Sequence, residues 1–597
     1  MHRKLPHILV LIILVASTLV GCGGSGTPCS TLAKVSVTDG DVLVMKAGTD
    51  DWTEAQAEME LEVGDSMKTV GNSTAEITFF DGSVLGLEAG TEIEILSLDN
   101  VCSIGVTTIT LLQTIGTTIS RITQVLDPAS LYEVETPSGA AGVRGSIMIV
   151  RVLEDGTTFV TNEEGTVYAR AQGEEVEVPV DQTYVMYPGQ PPLISGSLVQ
   201  GFGTGGVVTS NSTAGYDWAN AIAIDSTSMY VVGCDNFTAG DSQWRMGKRS
   251  LASGDLDTGF GIDGVVISNP SSYTEEAYAI AIDSTYMYVV GRDGTSGDGR
   301  WRIEKRSLTD GSLDTGFGTG GVVTSNPSLI GDDPHAIAID SAYMYVVGYD
   351  YGPGDLQWRI EKRSLTDGSL DTGFGTGGVV SSNPSLGVDH AYAIAIDSTA
   401  MYVVGQDASP GNAQWRIEKR SLTDGSLDTG FDTDGVVTSN PSSNWDTAYA
   451  IVIDSTAMYI VGQDANPGDA QWRIEKRSLT DGSLDTGFGT DGVVTSNPGS
   501  NDDAAYAIAI DSAAMYVVGW DESPGSGNWQ WRIEKRSLTD GSLDTGFDTD
   551  GVITGNPSTG DDEPLGIAID STAMYVVGWD ESPGTGDWQW RIEKRVK

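Results

Sequence analysis

From residue 33 onward, apolar and polar positions alternate in short runs cut by Gly, Asp, Asn and Ser, the period-two pattern of half-buried β-strands. In the first stretch, Lys34 to Val37 precede Asp39-Gly40, and Glu76-Ile77-Thr78-Phe79-Phe80 precede Asp81-Gly82, which predicts tight turns after each. Leu111, Ile115, Ile119, Ile122 and Val125 fall at helical spacing, but the β-branched residues around them favour a strand, and strand is the expectation there.

Beyond residue 200 the pattern repeats. Trp-Arg recurs at Trp244, Trp301, Trp358, Trp415, Trp472, Trp531 and Trp590, with spacings of 57, 57, 57, 57, 59 and 59. A repeat of that length marks a propeller, solenoid or array. One copy shows four strand candidates: Ala393 to Ile396, Met401 to Val404, Gln414 to Arg420 and Gly435 to Thr438. Four short strands, seven times over, predict a seven-bladed β-propeller and an all-β chain. The uncharged Ala/Ile strand is expected innermost and the Trp-Arg strand further out, where apolar and charged residues alternate. Residues 206 to 210 are expected to supply the outermost strand of the last blade and close the ring. The units resemble the delta-60 family of bacterial propeller repeats through steps such as Leu484-Asp485-Thr486-Gly487-Phe488-Gly489 and Asp491-Gly492-Val493-Val494. That resemblance implies a fold and no particular activity.

The N-terminus carries an address. His2, Arg3 and Lys4 precede the apolar run Ile8 to Val20, a secretory signal too short for a comfortable membrane span. Leu19-Val20-Gly21-Cys22 resembles the bacterial lipobox, which implies cleavage and lipidation at Cys22. Gly23 follows, where an Asp would favour retention at the inner membrane of some bacteria, so the outer membrane is the expected destination. The expected organisation is a signal peptide at 1–21, a flexible tether at 22–32, a β domain at 33–190, a linker at 191–200 and the propeller at 201–597. Cys29, Cys102 and Cys234 remain in an oxidising compartment, where Cys29 and Cys102 could pair; spacing alone does not decide it.

Residues 33–190 resemble the FecR domain: Gly40-Asp41-Val42 with Trp52, then Leu61 to Thr69 followed by Ala75 to Leu85, and the signature Val134-Glu135-Thr136-Pro137-Ser138-Gly139-Ala140-Ala141-Gly142-Val143-Arg144-Gly145-Ser146, with Glu164-Gly165-Thr166-Val167 later. The resemblance implies a β-rich envelope domain that contacts partners. Regulators of this type reach a sigma factor through a cytoplasmic segment, whereas only Met1 to Pro6 precede the apolar run here. Signalling is therefore the least expected role. For Arg144, a paired arginine holding a turn and a contact residue are equally open.

Charge narrows the partners. The chain has 33 Lys+Arg against 83 Asp+Glu, a formal charge of -50, with no basic run beyond the first four residues, which excludes nucleic acid. Its 76 glycines sit beside 14 Trp and 21 Tyr, a turn-rich folded composition rather than a disordered one.

Comparing the seven copies, the first and third links barely vary, while the second link and the blade-to-blade link differ from copy to copy; these two share one face, the expected ligand-binding face. Its lining would include Asp235, Asp293, Asp350, Asp407, Asp464, Asp521 and Asp580. Further acids there are Glu275, Glu276, Asp332, Asp333, Asp502, Asp503, Asp561, Asp562 and Glu563, and the aromatics are Trp218, Tyr351, Trp445, Trp520, Trp529, Trp579 and Trp588. Carboxylates suit a cation or basic partner and exposed Trp a sugar or protein anchor, though the repeated Asp also reads as a turn former. His335 and His390, the only histidines past the signal, occupy non-equivalent repeat positions and form no repeated metal site or triad. Asp428 with Phe431-Asp432-Thr433-Asp434-Gly435 approaches a calcium loop without its spacing, so no cofactor is expected and calcium is the weak alternative. The expected function is a non-catalytic, lipid-anchored envelope scaffold that binds a protein, glycan or cation; the alternatives are a propeller enzyme acting on extracellular polysaccharide and a FecR-like signalling component.

Overall fold

The computed structural model describes residues 31–597 except 102–104, 123–128, 212–214, 239–240, 272, 295–298, 327, 329–330, 353, 386, 409–411, 441–443, 466–468, 498–500, 523–527, 549, 559 and 582–586. Cys22 and the pair Cys29 and Cys102 lie outside the described residues. Every regular element among the described residues is a β-strand, so the chain is all-β. It divides into two units, residues 1–180 with 187–189, and residues 181–186 with 190–597.

In the first unit, Ala33–Met45 pairs with Ser66–Thr78, and Gly139–Val152 with Thr158–Ala171. Val106–Arg121 lies between them, antiparallel to Glu92–Val101 and Gly139–Val152 and parallel to Leu131–Thr136. Strand therefore wins over helical spacing at Leu111 to Ile119, because alternate residues such as Ile109 and Leu111 reach the core. The turn at Asp81-Gly82 forms, with Phe79 N–H bonded to the Ser83 carbonyl at 2.9 Å. No turn forms at Asp39-Gly40: the strand runs on through a bulge, with Gly40 at φ +80° and Ser73 Oγ accepting the Asp41 N–H at 2.8 Å. At the signature, Thr136 faces Gly139 across Pro137-Ser138, and Gly142 lies under the Tyr168 ring, where any Cβ would overlap it. Arg144 is exposed.

The second unit holds seven four-stranded antiparallel sheets, a seven-bladed β-propeller. A representative blade runs from inside outward as His390–Ile396, Ala400–Asp407, Gln414–Ser421 and Val436–Ser439. The innermost strands touch one another in sequence around the ring, and Trp218–Ile224 meets Asp562–Ile569 to complete it. Val207–Ser210 pairs with the last strand, Trp588–Val596, as the fourth strand of the seventh blade. The closure reaches further back than expected. Gly196 N–H bonds the Val596 carbonyl at 2.8 Å, Val199 N–H the Lys594 carbonyl at 2.9 Å, and Arg595 Nη1 the Gly196 carbonyl at 2.9 Å. The last bond is the counterpart of Arg420 Nη1 to the Gly425 carbonyl in the fourth blade, so residues read as a linker act as the third link of the seventh blade.

A single blade cannot bury its own faces. Trp415, Phe431, Tyr402 and Ile417 of one blade form a common core with Ala448, Met458 and Ile460 of the next. Trp415 donates its Nε1–H to the Gln463 carbonyl across that junction at 3.0 Å, and Trp590 closes the ring with the Cys234 carbonyl at 3.1 Å. Charged residues occupy a second layer. Glu418 is fully buried between Arg416 (2.8 Å) and Arg420 (2.6 Å) and also accepts Ser382 Oγ of the preceding blade at 2.8 Å. Burial works to raise the Glu418 carboxyl, but Arg420 and Arg416 outweigh it and hold it below its ordinary value.

Trp415→Phe keeps most of the buried ring and loses the bond to Gln463; it is expected to cost about 1 kcal/mol, against about 3–5 kcal/mol for Trp415→Ala. Urea denaturation of the two variants checks the ratio.

Candidate functional site

Strand direction places the second link of each blade and the link into the next blade on one face, and hydrogen bonds tie them together. Asp389, just ahead of an innermost strand, accepts the Ala408 N–H at 2.9 Å and Ser385 Oγ at 2.8 Å. Asp217, Glu275, Asp332, Asp389, Asp446, Asp503 and Asp562 hold this place in the seven blades, all 0% exposed. On the opposite face the links are uniform: Asp397 accepts the Thr399 and Ala400 N–H groups and the Tyr402 hydroxyl.

The repeated acids expected to line the variable face, Asp235, Asp293, Asp350, Asp407, Asp464, Asp521 and Asp580, sit there but are 0–3% exposed. Each pairs with the arginine that follows the repeated tryptophan, from 2.9 Å for Asp580–Arg591 to 3.5 Å for Asp293–Arg302, and Asp293 also meets Arg300 at 2.9 Å. They are buried ion-pair partners and not a solvent-facing acidic lining. Of the aromatics, Tyr351 and Trp445 are exposed. Trp520 and Trp579 are buried and stack on Trp529 and Trp588 at 4.7 and 4.1 Å. Asp428 is engaged by Lys419 at 2.9 Å, and among the described residues no three His, Cys, Asp or Glu side chains converge to hold a metal.

The residues of this face that differ most between blades stand where the innermost strands begin around the propeller axis, which we call the channel mouth. In every innermost strand the register slips by one residue near its start, as between Ala391 and Ala393. A bulge of this kind re-aims the extra side chain. The backbone there presses on the second strand so closely that a Cβ at Gly405 would lie 2.0 Å from the His390 carbonyl oxygen. The bulge residues are Asn220, Tyr278, His335, Tyr392, Tyr449, Tyr506 and Leu565. Five of them meet ring to ring around the axis: Tyr278–His335 5.4 Å, His335–Tyr392 5.1 Å, Tyr392–Tyr449 5.4 Å and Tyr449–Tyr506 4.8 Å. Two residues deeper along each strand the sequence turns uniform, with isoleucine at Ile222, Ile280, Ile337, Ile394, Ile451, Ile508 and Ile567, all packed against the cores between blades.

Two residues before each bulge stands an upper tier: Trp218, Glu276, Asp333, His390, Thr447, Ala504 and Glu563. Glu276 accepts Trp218 Nε1–H at 2.6 Å and Asn220 Nδ2–H at 3.0 Å. Asp333 Oδ2 accepts the Tyr349 hydroxyl and lies 3.5 Å from Arg292. His390 stacks on Tyr349 at 4.3 Å, bonds the Tyr392 hydroxyl through Nδ1 at 2.9 Å, and lies 6.3 Å from His335. The histidines that are non-equivalent in sequence thus meet in adjacent blades. Burial lowers both to about 4, so both are neutral near pH 7, and burial raises Glu563 to about 7. Among the described residues, Asp333 Oδ1, His335 Nε2, His390 Nε2 and Arg292 Nε have no hydrogen-bond partner. Aromatic faces, neutral imidazoles and buried donors and acceptors without partners thus lie together where neighbouring innermost strands begin, a set of groups suited to polar rings.

No family model matches the chain, and no curated protein matches it. Among solved structures, it is similar to a putative anti-sigma factor from Parabacteroides distasonis at 16% identity over 21% of this chain and 56% of that one, TM-score 0.18. It is also similar to Sqt1 from Chaetomium thermophilum at 11% identity over 65% of this chain and all of that one, TM-score 0.35. A third is a putative oxidoreductase (glucose dehydrogenase) from Thermus thermophilus, at 11% identity over 66% of this chain and all of that one, TM-score 0.28.

The loop-locking acids set a pH dependence. Burial, with the neighbouring Asp of the ion-pair series adding to it, raises Glu275 and Asp503 to about 7 and Asp562 to about 6. Protonated forms favoured by the fold stabilise it below the ordinary carboxyl range, and this contribution is lost as pH rises through 6–7. Arginine-held Glu418 and Glu475 act oppositely, losing their contribution as pH falls below their lowered values. The melting temperature is therefore expected to rise on acidification from pH 8 to about 5.5 and to fall below about pH 4. Calorimetry across pH checks this, and Asp503→Asn should flatten the first limb.

Proposed function

We propose that this protein is a non-catalytic binding scaffold of the cell envelope, tethered at the outer membrane by a lipid on Cys22, whose channel mouth takes the end of a neutral glycan. The Leu-Val-Gly-Cys step supports the anchor, and the FecR-like signature at 134–146 supports an envelope adaptor domain carrying delta-60-type blades. One observation carries the ligand site: seven strands that agree in their deeper isoleucines differ at the mouth, from Asn220 through His335 to Leu565. Repetition maintained for folding alone has no need of that divergence. A neutral glycan is favoured over a cation because the repeated acids of this face are already paired with arginine and the mouth histidines are uncharged near pH 7.

The test uses the mature chain with Cys22→Ser on a glycan array, with titration of the hits and an assay for reducing ends. Neutral glycans are expected to bind without turnover, with His390→Ala and Asp333→Asn each weakening affinity about tenfold and Trp445→Ala changing it less than about twofold. Released reducing ends, or binding that survives both mouth variants, would sink the proposal.

A further inference from the structure

Six blades place a glutamate between the two arginines of the third strand: Glu304, Glu361, Glu418, Glu475, Glu534 and Glu593. The first blade departs from this. Its strand reads Trp244-Arg245-Met246-Gly247-Lys248-Arg249, with glycine at the glutamate position. Both arginines are retained and buried, Arg245 at 5% and Arg249 at 7% exposure.

The other six copies serve as internal controls for what the missing acid does. Arg302 and Arg416 donate Nε–H to their glutamates at 2.7 and 2.8 Å, whereas Arg245 Nε has no hydrogen-bond partner among the described residues. Arg245 instead turns Nη2 to Ser210 Oγ at 2.8 Å, the serine that matches the one bonding glutamate in the fourth blade. Its guanidinium lies closer to the neighbouring tryptophan, 4.8 Å from the Trp590 ring against 5.6–5.8 Å for Arg302, Arg359 and Arg416 over theirs. Arg249 bonds the Gly254 carbonyl at 2.9 Å, but burial, and then repulsion from Arg245, lower it to about 10. Elsewhere a glutamate lies between the two arginines; here Asp235 pairs with Arg245 and Asp255 of the following link acts on Arg249, but no carboxylate stands between the two.

There is room for a small group. A Cβ on Gly247 would meet nothing nearer than Leu256 and Trp590, each at 4.0 Å. Arg249 and Leu256 also border a cavity of about 380 Å³ beside the closing strand, with Val208 and Gly254. We propose that the space between Arg245 and Arg249 is a buried binding site for one small monoanion, a halide or a short carboxylate, which replaces the charge of the glutamate at the seam where the ring closes. A monoanion is the counterpart of the single carboxylate that Gly247 leaves out between the arginines, and the planar arginine forks suit carboxylate geometry.

The test is calorimetry of the mature chain at constant ionic strength in gluconate, chloride, bromide and formate. Bromide or formate is expected to raise the melting temperature by about 1–3 °C over gluconate with single-site saturation. Gly247→Glu is expected to be more stable in gluconate and to lose the anion response. A response to formate alone or to halides alone assigns the source. Bromide-soaked crystals of the unmodified protein should show an anomalous peak between the two guanidinium groups, which decides the matter even if the variant does not fold. Equal melting temperatures in all four salts, an unchanged anion response in Gly247→Glu, or no peak at that place would each overturn the proposal.

Discussion

The indole of the repeated tryptophan belongs to two blades at once. Trp415 is wholly buried, packs in a core drawn from its own blade and the next, and donates across the junction to the Gln463 carbonyl. A four-stranded sheet of this size has two apolar faces and no means of covering either, so its stability is a property of the junction. The ring must then close, because an open array would expose one such junction at each end. Residues 196 to 210 meet that need by supplying the link and outer strand that the seventh blade lacks, and Trp590 makes the final junction with Cys234.

The charged layer complements the apolar one by fixing geometry. Five of the six glutamates held between two arginines also accept a serine of the preceding blade, as Glu418 does from Ser382, while Gly555 takes the serine's place ahead of Glu593, so the ion pairs register one sheet on another. Removing one partner from such a group typically costs about 3–5 kcal/mol because it strands a buried charge. The variable face is acidic in sequence, yet its repeated aspartates are buried against arginine, which is why the proposed site lies at the starts of the innermost strands and not on those acids.

The propeller is legible in the sequence because Trp-Arg at near-constant spacing and four punctuated runs per copy are local signals. The first part of the closure is not, since Gly196-Ser197-Leu198-Val199-Gln200-Gly201-Phe202 lacks the Asp-Thr pair that marks this link in Gly425-Ser426-Leu427-Asp428-Thr429-Gly430-Phe431. Asp407 read as a loop acid because its partner Arg416 is brought beside it only by strand pairing. The choice of face, and Glu276, Asp333, Glu563 and Trp218 on it, followed from link variation alone. His335 and His390 did not, because contact between the bulge tier of one blade and the upper tier of the next breaks repeat equivalence. Nor did Tyr278, Tyr392, Tyr449 and Tyr506, which stand in strands whose alternation reads as blade interior, and only the recurring register slip turns them to the axis.

The central claim is that the repeated residues build the scaffold while the non-repeated residues of the channel mouth make the site. Hydrogen exchange followed by mass spectrometry, with and without a saturating neutral glycan, tests it most directly. New protection is predicted at the starts of the innermost strands around 276–278, 333–335 and 390–392, with the opposite face and the outer strands unchanged. Protection confined to the uniform links of the opposite face, or spread equally over all seven blades, would contradict it.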